Sequence, residues 1–228
     1  MQFTDELRNL TDALFKRIKR HPFVQGIANE SLEPNQLIHY VQQDYQYLTT
    51  YVQVYGLAMA KCTNRDQMRD LHARMRIVLE EEIHPHINFC RVAQVDYRDL
   101  QTGVALAPTA HHYAKHMLSV AQSGSLGEIL ATLLPCHWIY IDIADDMMSR
   151  VQPNETHAFY DWIRFYSSEE MHTGLATFRD WIDAYTLNSG ERERDLMREH
   201  FLTSCQLELR FFDMAYTLED WAVRGLLV

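Results

Sequence analysis

Turn-forming residues are scarce in this sequence, with 8 glycines and 6 prolines among 228 residues. They fall mostly between periodic segments, as expected of long helices joined by short loops. Cysteine is equally sparse. Cys62, Cys90, Cys136 and Cys205 share no CxxC spacing, and a chain of this size needs no disulfide staples. A reducing cytoplasm is the simplest expectation. The N-terminal Met1-Gln2-Phe3-Thr4-Asp5-Glu6 has neither the basic nor the apolar region of a secretion signal. No apolar run is read as reaching the ~18 residues of a membrane span, so no membrane partner is expected. Positive charge is not clustered, and the net charge is −10. Phosphate backbones need a basic face, so a nucleic-acid partner is excluded.

Helical periodicity is what the sequence does have. Hydrophobic residues make up 47% and charged residues 23%, the balance of a packed globular chain. The spacing predicts helices over 5–19, 34–61, 66–92, 110–122, 126–151, 156–166, 169–186 and 191–216, and a short last one over 218–224. Ser31-Leu32-Glu33-Pro34 and Thr63-Asn64-Arg65-Asp66 read as helix starts. No linker is long enough to divide the chain and no internal repeat is present. The expectation is an all-α, single-domain helical bundle spanning residues 1–228.

Two predicted helices carry a carboxylate on an apolar stripe. Asp44 lies among Leu37, Tyr40, Val41, Tyr47, Leu48, Tyr51, Val52 and Tyr55. Glu208 lies among Met197, Phe201, Cys205, Phe212 and Ala215. A buried carboxylate is costly unless paired, so each is either a structural ion partner or part of a site. A third helix carries Leu134-Pro135-Cys136-His137-Trp138-Ile139-Tyr140. Cys136 and Tyr140 share a face, whereas His137 points about 100° away from Cys136, poor geometry for a thiol–imidazole dyad. A lone helical cysteine is most often a small core hydrophobe. Pro135 inside the helical pattern predicts a kink. Tyr47 and Tyr140, on faces shared with Asp44 and Cys136, could line a pocket for a flat heterocycle.

Two Glu-x-x-His pairs, Glu81 with His84 and Glu169 with His172, could join Asp44 and Glu208 in a di-metal carboxylate site. Against this, Glu80-Glu81-Glu82 reads as a solvated charge run, and Pro85 disfavours helical spacing at His84.

Five segments carry a family resemblance: His39-Tyr40-Val41-Gln42-Gln43-Asp44-Tyr45-Gln46-Tyr47-Leu48, His112-Tyr113-Ala114-Lys115-His116-Met117, Leu134-Pro135-Cys136, Phe165-Tyr166-Ser167-Ser168-Glu169, and Glu208-Leu209-Arg210-Phe211-Phe212-Asp213-Met214-Ala215. Their content, order and spacing resemble the TenA (thiaminase II) family over nearly the whole chain. The resemblance implies a heme-oxygenase-like helical fold without heme, a homotetramer, and hydrolysis that releases the hydroxymethyl pyrimidine of thiamin or of its aminomethyl-pyrimidine breakdown product. It implies no cofactor and no metal. By motif, Cys136 matches the nucleophile and Glu208 the acid/base residue. Asp44, Tyr140 and Tyr166 match substrate contacts, and Tyr47 and Tyr113 match residues that poise the thiol. It assigns no role to His137, Glu169 or His172. A di-metal oxidase and a non-catalytic thiamin-related binding or regulatory protein remain the competing readings.

Overall fold

The computed structural model describes residues 1–81, 83–102 and 104–223. The helices are α1 (Phe3–Leu10), α2 (Asp12–Lys19), α3 (Pro22–Ala28), α4 (Pro34–Ala60), α5 (Arg65–Arg76), α6 (Ile83–Ala93), α7 (Pro108–Ser123), α8 (Leu126–Arg150), α9 (Tyr160–Tyr166), α10 (Glu169–Thr186) and α11 (Glu191–Thr217). A π-helical turn spans Ile77–Glu81 and a 3-10 turn Tyr97–Leu100. No strand occurs among the described residues, and the all-helical expectation holds.

Several boundaries differ from the sequence reading. The first expected helix breaks at Thr11, whose hydroxyl turns back to the Leu7 and Arg8 carbonyls at 2.8 and 3.2 Å. Helix α3 was not anticipated. It starts on Pro22, and His21 Nδ1 accepts from the Phe23 amide at 3.1 Å. The expected helix over 66–92 is divided by the π-helical turn, and α6 restarts at Ile83. Pro85 thus falls in a first turn, where its missing N–H costs no helical bond. Residues 218–223 are not helical, and Arg224 lies outside the described residues.

Helix α8 is the axis of the molecule, packed mainly on α11 and also on α10, α7 and α9. Helix α4 lies against α7 and α6. Capping boxes start α4 and α8. The Ser125 hydroxyl accepts from the Glu128 amide at 3.2 Å while Glu128 Oε1 accepts from the Ser125 amide at 3.0 Å. Gln36 Oε1 likewise takes the Glu33 amide at the start of α4. By length and composition α8 could cross a membrane, which corrects the reading that no segment is apolar enough. That stretch is 83% buried against the other helices, and core burial accounts for its composition.

Candidate active site

Helices α4, α7, α8 and α11 bring one group of polar side chains together inside this core. Cys136 stands on α8, half-buried, directly after Pro135. Its thiol lies beside the carboxyl of Glu208 on α11. Glu208 is 2% exposed, and its Oε1 accepts from the Tyr113 hydroxyl of α7 at 2.9 Å. Burial pushes the Glu208 carboxyl up to about 8; the Tyr113 bond opposes that rise, and Asp44 adds to it. Glu208 is therefore mostly protonated at neutral pH, the condition of a general acid.

Tyr47 packs its ring 4.9 Å from Tyr113 and 5.5 Å from Phe211. Its buried hydroxyl lies beside the Tyr113 hydroxyl and the Cys136 thiol. Burial first, and then the neighbouring Cys136, raise its pKa well above the ordinary value. Tyr113 and Tyr140 are raised likewise, burial again coming first, so all three are protonated donors. A protonated phenol beside a thiol is suited to stabilising sulfur as it becomes anionic.

Asp44 lies at the other end of the group. Its Oδ2 accepts from His86 Nε2 of α6 at 2.8 Å, and both side chains are buried. Tyr97 extends this pair with its hydroxyl 3.3 Å from His86 Nδ1. Between the two carboxylates run aromatic walls. Tyr140 shares a 2.6 Å hydroxyl contact with Tyr40, and its ring centroid lies 5.0 Å from that of Tyr166. Trp162 closes on Tyr166 at 4.8 Å. Aromatic walls with a few polar groups beside them suit a planar ring.

The seven residues singled out in the sequence thus gather in one place. His86, Tyr40 and Tyr51 belong beside them and were not singled out. His86 could have been found by the sign that marked Asp44, a polar residue on an apolar face, here shared with Phe89, Cys90 and Ala93.

The residues of the di-metal reading do not converge. Glu81 and His84 are 3.8 Å apart at the surface, beside a groove of about 800 Å³ that is also lined by Ile87, Arg91 and Phe165. His172 faces Asp145 at 3.0 Å, also at the surface. No group of three or more His, Cys, Asp or Glu is placed to hold a metal among the described residues. His137 turns its ring to Tyr51 and Phe178, in keeping with the poor dyad geometry expected of it.

The model of the TENA/THI-4/PQQC family matches residues 6–218. The chain belongs to that family. A relative named aminopyrimidine aminohydrolase from Helicobacter pylori is 32% identical over 219 residues, covering 95% of this chain and 99% of its own. A solved TenA homologue from P. horikoshii OT3 superposes with a TM-score of 0.84 at 26% identity, covering 95% of this chain and 99% of that one. A heme oxygenase 2 from Chlamydomonas reinhardtii, crystallised without heme, shares the fold at a TM-score of 0.52 and 13% identity, with 93% of this chain and 97% of that one covered. The TENA/THI-4/PQQC fold of this chain is therefore heme-oxygenase-like.

Proposed function

We propose that this protein is an aminopyrimidine aminohydrolase of the thiaminase II type. It releases the hydroxymethyl pyrimidine from thiamin or from the aminomethyl pyrimidine. The observation that carries this reading is half-buried Cys136 beside the buried Glu208–Tyr113 pair, with Asp44 and the aromatic walls nearby. The Helicobacter pylori relative, matched along almost its full length, supports the same chemistry.

Asp44 accepts a hydrogen bond from the exocyclic amine of the pyrimidine and fixes its orientation, with Tyr140 and Tyr166 against the ring. Glu208 gives its proton to a ring nitrogen, which makes the ring electron-poor. Cys136 adds through sulfur to the ring carbon next to the one bearing the substituent, its own proton passing to Glu208. The electron pair of the dearomatised ring expels ammonia as Glu208 hands its proton to the departing nitrogen, or expels the neutral thiazole in the case of thiamin. Water adds to the methylene carbon left behind, its proton passing to Glu208, or to solvent when thiazole has left; the sulfur then departs as thiolate and recovers the ring-nitrogen proton as the ring regains aromaticity. One water is consumed and one leaving group released. Tyr47 and Tyr113 donate toward the thiol and Glu208 as charge develops there.

No disulfide joins any two of the four cysteines, in keeping with a reducing compartment such as the cytoplasm. The family resemblance supports a homotetramer, which light scattering would measure. The deciding experiment is product analysis with thiamin and with the aminomethyl pyrimidine, comparing kcat/KM. The expected outcome is hydroxymethyl pyrimidine in both cases and loss of activity in Cys136→Ser. A Cys136→Ser protein with full hydrolytic activity would sink the reading.

A further inference from the structure

His137, one residue past the thiol, has no part in the chemistry above, yet its surroundings are highly specified. The Tyr51 hydroxyl of α4 lies 2.7 Å from the Leu133 carbonyl and 3.2 Å from His137 Nδ1. A carbonyl can only accept, so the one hydroxyl proton of Tyr51 goes to Leu133. His137 Nδ1 must then donate to the Tyr51 oxygen. The imidazole therefore carries a proton on Nδ1.

The other side of the ring is held just as firmly. Phe178 of α10 meets it edge-on, with centroids 5.8 Å apart. The Arg74 guanidinium of α5 lies 4.2 Å over Phe178 and donates to the Gly174 carbonyl at 3.1 Å. No carboxylate pairs with buried Arg74 among the described residues. Burial first, and then this guanidinium, push the His137 imidazole down to about 3. It is therefore neutral at neutral pH.

Pro135 supplies no N–H to the Ala131 carbonyl, so the helix has one restraint fewer immediately before the thiol. Tyr51 spans this weak point, touching the backbone three residues before Cys136 and the side chain one residue after it. The Tyr51 ring also packs 5.7 Å from Tyr47, whose hydroxyl neighbours the thiol.

We propose that His137 is a positioning residue, whose Nδ1–H locks the Tyr51 hydroxyl so that Tyr51 clamps α8 on both flanks of Cys136. The inference rests on Cys136 being the nucleophile. The clamp sets the reach of sulfur toward the ring carbon, a step sensitive to sub-ångström placement, and makes no contact with substrate.

The test uses the full chain with the aminomethyl pyrimidine as substrate. His137→Phe keeps the ring volume and removes the donor. It is expected to lower kcat by about tenfold or more while KM stays within about twofold. His137→Asn, whose amide nitrogen occupies the Nδ1 position, is expected to restore most of kcat. The double variant with Tyr51→Phe is expected to be no slower than the slower single variant, because both break one clamp. Unchanged kcat in folded His137→Phe, a loss confined to KM, or additive losses in the double variant would overturn the proposal. If thermal melting shows His137→Phe unfolded, His137→Asn is compared with His137→Gln, and a faster Gln variant overturns it. Cys136→Ser separates the two claims. An active Cys136→Ser removes the nucleophile reading and the clamp with it. An inactive Cys136→Ser beside a fully active His137→Phe removes the clamp alone.

Discussion

Asp44 and Glu208 are both buried carboxylates, yet their neighbours set them different tasks. Asp44 has an imidazole donor, whereas Glu208 has a phenol and a thiol. Glu208 therefore holds its proton up to about 8, against an ordinary value of 4.5. Between those values the folded protein keeps a proton that the unfolded chain has lost. This group's contribution to stability is complete below 4.5 and is lost as pH rises through about 8. Glu208→Gln, neutral throughout, should flatten the fall in urea midpoint over that interval, and parallel pH slopes for the two proteins would refute the assignment. The same variant should lower kcat by roughly 10²-fold or more with a much smaller change in KM, measured by steady-state kinetics. The loss of acid form should also make wild-type kcat/KM decline above about pH 8. At this scale the sequence was informative where a polar residue interrupted an apolar stripe, as at Asp44 and Glu208. It was silent about His86 and Tyr51 as partners, because their contacts join residues 42 and 86 positions apart.

Helix α8 shows how an element can be specified by what it omits. A Cβ at Gly127 would run into the Tyr185 ring and lie 3.0 Å from Met197 Sδ. The Tyr185 ring has little freedom to retreat, since its hydroxyl donates to Glu193 at 2.8 Å. Gly127→Ala should therefore destabilise the protein by about 1–3 kcal/mol despite its better helix propensity, read from the urea midpoint. An unchanged or raised midpoint would show that α10 and α11 yield easily there. The long helices were legible because periodicity survives over six or more turns. Helix α3 was not, because seven residues hold too few turns to display a period. The division at residues 77–81 was also hidden. A π-helical turn adds one residue to the spacing without any glycine or proline to announce it.

Over the whole molecule, the chain is tied back on itself far from the site. Thr4 gives both its amide and its hydroxyl to Asp183 of α10, at 2.8 and 2.7 Å. Arg179 reaches Asp5 at 2.7 Å and Arg198 reaches Glu6 at 2.6 Å, latching α1 across α10 and α11. The ion pairs are partly exposed and individually weak, whereas Thr4 is fully buried. Asp183→Ala leaves two buried donors unsatisfied and should cost about 2–3 kcal/mol by urea denaturation, with kcat unchanged in the folded enzyme. A cost below about 0.5 kcal/mol would mean that the latch is held by the arginines instead. None of these pairings was legible in the sequence, because each joins residues more than 170 positions apart and no local rule selects the partner.

The burial of the two carboxylates also decides what can block this enzyme. Neither Asp44 nor Glu208 faces a lysine or arginine among the described residues. A pyrimidine with a carboxylate in place of its aminomethyl group would bring a new anion into that space without a cation to receive it, and should be a poor ligand. On the proposed mechanism, an effective inhibitor would keep the exocyclic amine for Asp44, stay neutral or cationic at the position of the leaving group, and carry there an electrophile for the Cys136 sulfur.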